Sequence, residues 1–258
     1  MKILISNDDG IESPGLHALA KHLATIGMVT VVAPHRERST AGHSLTLHKP
    51  LRITSHGNHF YSTSGTPADC IYLGIREILK SSPDLIVSGI NRGANLGSDV
   101  HYSGTVAAAR EGALMSIPSY AVSLVDLHQT IPHYPQENFR FDMAGEIACA
   151  IVKKTMGITF PPHSLLNINI PNMDAAKIAG HKITKQGFRF YANEVTKRLD
   201  PRGKDYFWLG GNYLRFEGGE DTDCFALNEG FVTITPITID CTHNKFYTTL
   251  VEGGLFRE

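Results

Sequence analysis

The chain has 258 residues, a formal net charge of −1 and 19% charged residues. That length suffices for one main domain with an elaboration, and the near-neutral charge leaves no basic excess to neutralise a nucleic-acid backbone by counterion release. A nucleic-acid polymer is therefore not an expected partner, and any nucleotide handled is small. Cys70, Cys149, Cys224 and Cys241 lie too far apart for a zinc pair or a disulfide framework and read as reduced, mostly buried thiols. The apolar run from Ile3 turns polar at Asn7, too soon for a signal-peptide core or a membrane span. A cytoplasmic location without a membrane partner is the expectation.

In chain order, Ile3 to Ser6 reads as a first strand. Ser13 with Pro14 behind it reads as a helix start, and Leu16, Leu19, Ala20 and Leu23 recur on one helical face. Val29 to Ala33 is a second strand, which makes a parallel βαβ unit. Leu45 to Thr54 and Phe60 to Thr63 read as an antiparallel excursion. Thr66 and Pro67 open a helix through Ile78, and Asp84 to Ser88 is a short buried strand followed by a Gly/Asn-rich loop. Ser103 precedes an alanine-rich helix, and Tyr120 to Leu124 is another strand. Phe141 to Lys153 reads as a helix and Leu166 to Ile170 as a strand. Beyond them the pattern turns β-rich, with Val232 to Pro236 alternating as a strand does. The residues thus imply a doubly wound α/β core, one unit over 1–258, with a β-rich elaboration over roughly 181–258.

In open parallel sheets functional groups gather in loops at the carboxyl ends of strands. Three polar loops satisfy that rule: Asn7-Asp8-Asp9-Gly10, the loop holding Ser39, and Gly89 to Asn95. Adjacent carboxylates repel unless a cation lies beside them, so Asp8-Asp9 after an apolar strand points to a hard divalent metal such as Mg²⁺ or Mn²⁺. A capped turn is the alternative for an arbitrary Asp pair; the position directly after strand one favours the metal. Ser39 alone is uninformative, and Asn91 serves equally as a turn residue or as a neutral oxygen ligand. Tyr102-Ser103-Gly104-Thr105 sets hydroxyls and free N–H groups at a helix start, where they can converge on a phosphate. The 13 histidines include no zinc-binding helix pattern, and His43 and His101, which flank the crevice, receive no role.

Ile3 to Ile11, Ala33-Pro34 through Ser39, Gly65 to Cys70, Ser88 to Gly93 and Tyr102 to Val106 together resemble the SurE survival-protein nucleotidases. The resemblance continues weakly through Asp200 to Gly203, Thr222-Asp223 and Thr235-Pro236. It implies a Rossmann-like core with a swapped C-terminal extension that builds homodimers or homotetramers. It also implies hydrolysis of nucleoside 5′- and 3′-monophosphates, sometimes short polyphosphate. Carried onto this chain, the ligands of one divalent ion per subunit, Mg²⁺ or Mn²⁺, fall on Asp8, Asp9, Ser39 and Asn91. Its phosphate contacts fall on Asn95, Ser103, Gly104 and Thr105. With Asp8 and Asp9 engaged on the cation, attack by a water on that cation is favoured over attack by Asp8.

A haloacid-dehalogenase-type phosphatase would need Asp-x-Asp where this chain has Asn7-x-Asp9. A nucleotide-sugar transferase and a non-catalytic phosphate sensor remain as alternatives, and a dinucleotide oxidoreductase lacks its glycine fingerprint after strand one.

Overall fold

The computed structural model describes residues 1–38, 42–126, 139–192 and 194–253. In chain order the first half contains β1 (Lys2–Ser6), α1 (Pro14–Leu23), β2 (Met28–Pro34), β3 (Ile53–Gly57), β4 (Phe60–Thr63), α2 (Pro67–Leu73) with a π-helical turn (Gly74–Leu79), β5 (Leu85–Arg92), a 3-10 turn (Gly97–His101), α3 (Gly104–Leu114) and β6 (Ser119–Val125). The second half contains α4 (Phe141–Thr155), β7 (Ser164–Pro171), β8 (Gly180–Ile183), β9 (Phe188–Tyr191), β10 (Glu194–Leu199), β11 (Asp205–Gly210), β12 (Tyr213–Glu217), α5 (Asp223–Asn228), β13 (Phe231–Thr238) and α6 (Asn244–Glu252).

Nine strands form one sheet in the order β3-β4-β2-β1-β5-β6-β7-β13-β8. The pairs from β4 through β7 are all parallel, whereas β3 lies antiparallel on β4 and β13 antiparallel on β7. Both faces of a parallel sheet are buried, so its strands are apolar on both sides. Accordingly Ile3 and Ile5 of β1 face a core shared with Leu16, Leu19 and Leu23 of α1 and with Ala144, Ala148 and Val152 of α4. Leu4, between them, faces Cys70 and Ile71 of α2 and Ala108 of α3. Each fully buried leucine or isoleucine contributes about 1.5–3 kcal/mol. This is a Rossmann-like α/β fold with added antiparallel strands toward the C-terminus.

β1 lies between β2 and β5, and the chain leaves β1 toward β2 through α1 but reaches β5 through α2. Strand order therefore reverses at β1/β5, and a crevice opens at the carboxyl ends of these two strands.

Several sequence expectations shift. Of the Leu45–Thr54 stretch only Ile53 and Thr54 lie in a strand, β3, which continues to Gly57. Residues 42–46 are held by side chains instead: the Asp69 carboxylate accepts from the Thr46 amide (2.9 Å) and hydroxyl (2.6 Å), and Thr66 donates to the Ser44 carbonyl (2.7 Å). The excursion is also only half antiparallel, because β4 joins the main sheet parallel to β2. Strand β5 runs past Ser88 to Arg92, with a register shift against β6 between Ser88 and Asn91 that carries part of the glycine-rich segment into the sheet. Ser13 occupies the cap of α1 without a side-chain capping bond. Three cysteines are buried and Cys241 is exposed, all four free. No helix among the described residues is long and apolar enough to cross a membrane.

A buried carboxylate helps to fasten the segment leading into β9 to the core. Asp223 accepts N–H bonds from Gly97 (2.9 Å), Gly187 (2.8 Å) and Cys224 (2.8 Å), and Gln186 donates to the Gly97 carbonyl (2.9 Å). Gly97 has φ +51° and a Cβ there would lie 3.0 Å from the Gly187 backbone, so both glycines permit the approach. Asp223→Ala leaves these amides unmet and should cost about 2–4 kcal/mol in urea unfolding; a loss below about 0.5 kcal/mol would show that the clamp contributes little.

Candidate active site

At the end of β1 the chain turns on its own side chain. The Asn7 amide donates to the Gly10 carbonyl (2.9 Å) and accepts the Gly10 N–H (3.2 Å). Gly10 sits at φ +99°, with the Arg36 carbonyl carbon 3.1 Å from where a Cβ would be, so only glycine fits. The Asp8 carbonyl accepts from Arg38 N–H (2.7 Å), tying this turn to the segment after β2.

Asp8 is buried and meets the N-terminus of α3. The Thr105 hydroxyl donates to its Oδ1 at 2.5 Å, and the Thr105 amide also donates to the carboxylate. A Cβ on Gly104 would fall 2.7 Å from the Asp8 Cβ and 2.8 Å from its Oδ2. Helix N-termini stabilise anions through unpaired N–H groups and the helix dipole. Here the anion is a side chain of the protein itself. Burial nonetheless pushes the Asp8 carboxyl up, the Thr105 bonds oppose that rise, and Glu37 adds to it. Asp9 is raised to about 6, first by burial, next by the adjacent Asp8 charge, against the opposing Arg92 amide bond. The charges of Asp8 and Glu37 thus both disfavour ionisation of Asp9.

Asp8 and Asp9 line a cavity of about 1210 Å³, together with Asn91, Asn95 and Ser103. The Asn91 amide nitrogen donates to the Gly93 carbonyl (3.0 Å), which leaves its oxygen as the remaining donor atom for a metal. Asn95 donates from its side chain to Ser123 Oγ (2.8 Å), and Ser103 Oγ accepts the Val106 N–H (3.0 Å) as the cap of α3. Gly104 and Thr105 stand behind Asp8 rather than on the cavity wall. Ser39 lies outside the described residues. Among the described residues no group of three or more His, Cys, Asp or Glu side chains is arranged to hold a metal. The donor set that fits a hard cation is smaller and mixed: two crowded carboxylates and the Asn91 amide oxygen. His43 instead bonds Glu111 (2.8 Å), and neither His43 nor His101 lines the cavity.

Strand β9, which the sequence marks only as part of a β-rich extension, also lines the cavity. Arg189 bonds Asp99 of the 3-10 turn at 2.5 Å, and the Tyr191 hydroxyl donates to the same Asp99 oxygen at 2.6 Å. The guanidinium lies 4.4 Å from the centre of the Tyr213 ring. Phe188, Phe190, Tyr102, Phe139 and Phe141 add apolar faces around the mouth. The alternation Phe188-Arg189-Phe190-Tyr191 signals a strand, but nothing in it reveals that Asp99 and the carboxylate pair lie opposite.

A group with a raised carboxyl pKa stabilises the fold while protonated, and that contribution disappears as pH rises through the folded-state value. For Asp9 it is fully present below its ordinary value of 3.8 and gone above about 6. A bound cation replaces the proton, so Mn²⁺ should raise the thermal midpoint strongly at about pH 7.5 and little at about pH 5. A calorimetric shift of equal size at both pH values would show that the carboxylate pair does not take the ion.

Comparison with known proteins follows the same lines. A family model described as survival protein SurE matches residues 3–193. The chain is 45% identical over 243 residues to the 5′-nucleotidase SurE of Geobacter sulfurreducens, covering 94% of this chain and 90% of that one. It is 44% identical over 250 residues to the 5′-nucleotidase SurE of Legionella pneumophila (strain Corby), covering 97% and 96%. The crystal structure of the SurE protein from Aquifex aeolicus matches with a TM-score of 0.84 at 41% identity, covering 98% of this chain and 99% of that one. The chain belongs to the SurE family.

Proposed function

We propose that this chain is a 5′-nucleotidase, a divalent-cation-dependent phosphomonoesterase that releases phosphate from nucleoside monophosphates. The observation that carries this reading is that a single cavity is lined both by the adjacent carboxylates Asp8 and Asp9 and by several aromatic side chains. Its relatives from Geobacter and Legionella bear the name 5′-nucleotidase SurE, which supports the same substrate class. At about 1210 Å³ the cavity exceeds the ~300–1,000 Å³ of ordinary small-molecule sites, which leaves room for phosphate at either ribose position or for a short polyphosphate.

Asp8, Asp9 and Asn91, with Ser39, would hold one Mg²⁺ or Mn²⁺ ion. Such an ion supplies Lewis-acid stabilisation of the phosphoryl oxygens and lowers the pKa of water. The chain's own groups do the rest. Thr105 fixes Asp8 in one orientation, so the carboxylate is presented without reorganisation. Asn95 and Ser103 line the cavity, and the second Asn95 Nδ2 hydrogen and the Ser103 hydroxyl would donate to phosphoryl oxygens. Phe188, 52% exposed at the cavity, would offer a ring to a base, where stacking contributes without selecting one base over another.

Purified protein with Mn²⁺ should release phosphate from nucleoside monophosphates without an acceptor, and Asp8→Asn or Asp9→Asn should lose at least about 10²-fold in kcat. Thr105→Ala should lose roughly tenfold and need more Mn²⁺ for half-activity, while Thr105→Ser keeps the bond and the rate. Unchanged turnover in both aspartate variants would remove the pair from catalysis.

We further propose that a second copy of the chain covers the β10–β11 ribbon. Among the described residues these two strands pair only with each other, and Trp208 and Leu209 are 64% and 87% exposed. An isolated two-stranded ribbon is at best marginal, so one with apolar side chains uncovered needs a partner surface. Ala192 and Asn212 are hydrogen-bonded at its base (2.9 Å), so residues 194–210 can be replaced by a short turn without moving β9. Light scattering should show the intact chain as a dimer or tetramer and the shortened chain as a smaller species. An intact chain that is monomeric at micromolar concentration contradicts the proposal.

A further inference from the structure

Strand β7 carries two amides where a buried strand would ordinarily be apolar on both faces. Ile168 and Ile170 point into the core beneath α1 and α4, but the alternate positions Asn167 and Asn169 are fully buried on the other face. Burying an amide is unfavourable unless its bonds are met, so these two need a reason. Both converge on one peptide. Asn167 Nδ2 donates to the Asn95 carbonyl at 2.7 Å and Asn169 Nδ2 to the same oxygen at 3.0 Å. Asn169 Oδ1 accepts the Asn95 N–H at 3.0 Å.

The orientation of Asn167 is forced. Its Oδ1 has no hydrogen-bond partner among the described residues, and turning the amide over would set that oxygen against the Asn95 carbonyl. The residue therefore leaves one end unmet to deliver its N–H to Asn95. No strand ladder holds this peptide; side chains of a strand more than seventy residues away do. Ser123 of β6 then takes the Asn95 side chain at 2.8 Å, so both main-chain groups and the amide of a cavity residue are pinned.

We propose that Asn167 and Asn169 are positioning residues, which hold the Asn95 peptide so that its side chain meets the phosphoryl group of the substrate. This rests on the reading above in which Asn95 is a phosphate contact. The two amides touch no substrate; their effect passes through Asn95. A merely structural role would lower the melting temperature and the active fraction, hence kcat, while leaving KM and inhibition by inorganic phosphate unmoved.

The test compares Asn167→Asp, Asn167→Ser and Asn95→Ala, alone and combined, with a nucleoside monophosphate at saturating Mn²⁺. Asn167→Asp sets oxygen against oxygen at the Asn95 carbonyl. It should raise both KM and the Ki of inorganic phosphate roughly tenfold, with Asn167→Ser showing a smaller rise in the same two constants. In the Asn95→Ala background neither substitution should add to the effect already present. Should the aspartate variant not fold, the serine variant decides. If Asn95→Ala raises KM and Ki but the Asn167 variants stay within about twofold of wild type, the proposal is overturned and Asn95 stands. Additive effects in the double variants overturn it as well. Wild-type constants for Asn95→Ala remove the phosphate contact itself, and the proposal with it.

Discussion

The bond between Thr105 and Asp8 organises this site. Asp8 leaves the end of β1 and meets the first turn of α3, where a hydroxyl and an amide both donate to it. Two conditions follow locally. Gly104 must lack a side chain, because the Asp8 carboxyl occupies the place of its Cβ. Ser103 must cap the helix, so that Val106 N–H is met while the Thr105 N–H stays directed at Asp8. Further along, small residues let α3 lie close to the sheet, with Val106, Ala109 and Ala113 against Ala121 of β6. An anion held in this way keeps its place when burial and the neighbouring Glu37 disfavour its charge.

The far side of the cavity depends on a second buried carboxylate. Asp223 joins the Gly97 turn to Gly187, and this brings β9 across the mouth. The Arg189 to Asp99 pair and the Tyr191 hydroxyl then close the joint. Partly buried, hydrogen-bonded ion pairs such as this one are weak evidence for stability but define one arrangement well. The C-terminal strands accordingly do two jobs: β9 forms a wall of the cavity, while β10 and β11 project away from it. Removal of all residues between Lys185 and Asp223 would therefore confound assembly with the integrity of the cavity.

The parallel core was legible in the sequence because its signals are local: apolar runs of strand length, Pro14 and Pro67 at the first helical positions, and acidic residues directly after β1. The crevice followed from topology, since a reversal of strand order fixes where loops meet. What stayed hidden was set by partners distant in sequence. Thr105 read as a phosphate ligand because a helix N-terminus attracts anions, and the competing anion, Asp8, lies 97 residues away in the chain. Asn167 and Asn169 read only as part of a strand, since period-two alternation reports burial and not which carbonyl an amide will meet. Leu45 to Thr54 looked extended from its composition, yet Asp69 and Thr66 hold the segment around Thr46 through side-chain bonds that no propensity encodes.

A carboxylate fixed by Thr105 and packed on Gly104 is placed to ligate a cation and poorly placed to swing toward phosphorus. We therefore propose that Asp8 holds the cation and that water attacks, in a single displacement. Hydrolysis of a nucleoside monophosphate made chiral at phosphorus with oxygen isotopes tests this directly. The account predicts inversion of configuration at phosphorus. Retention would require two displacements through a phosphoaspartate and would contradict it, returning Asp8 to the role of nucleophile.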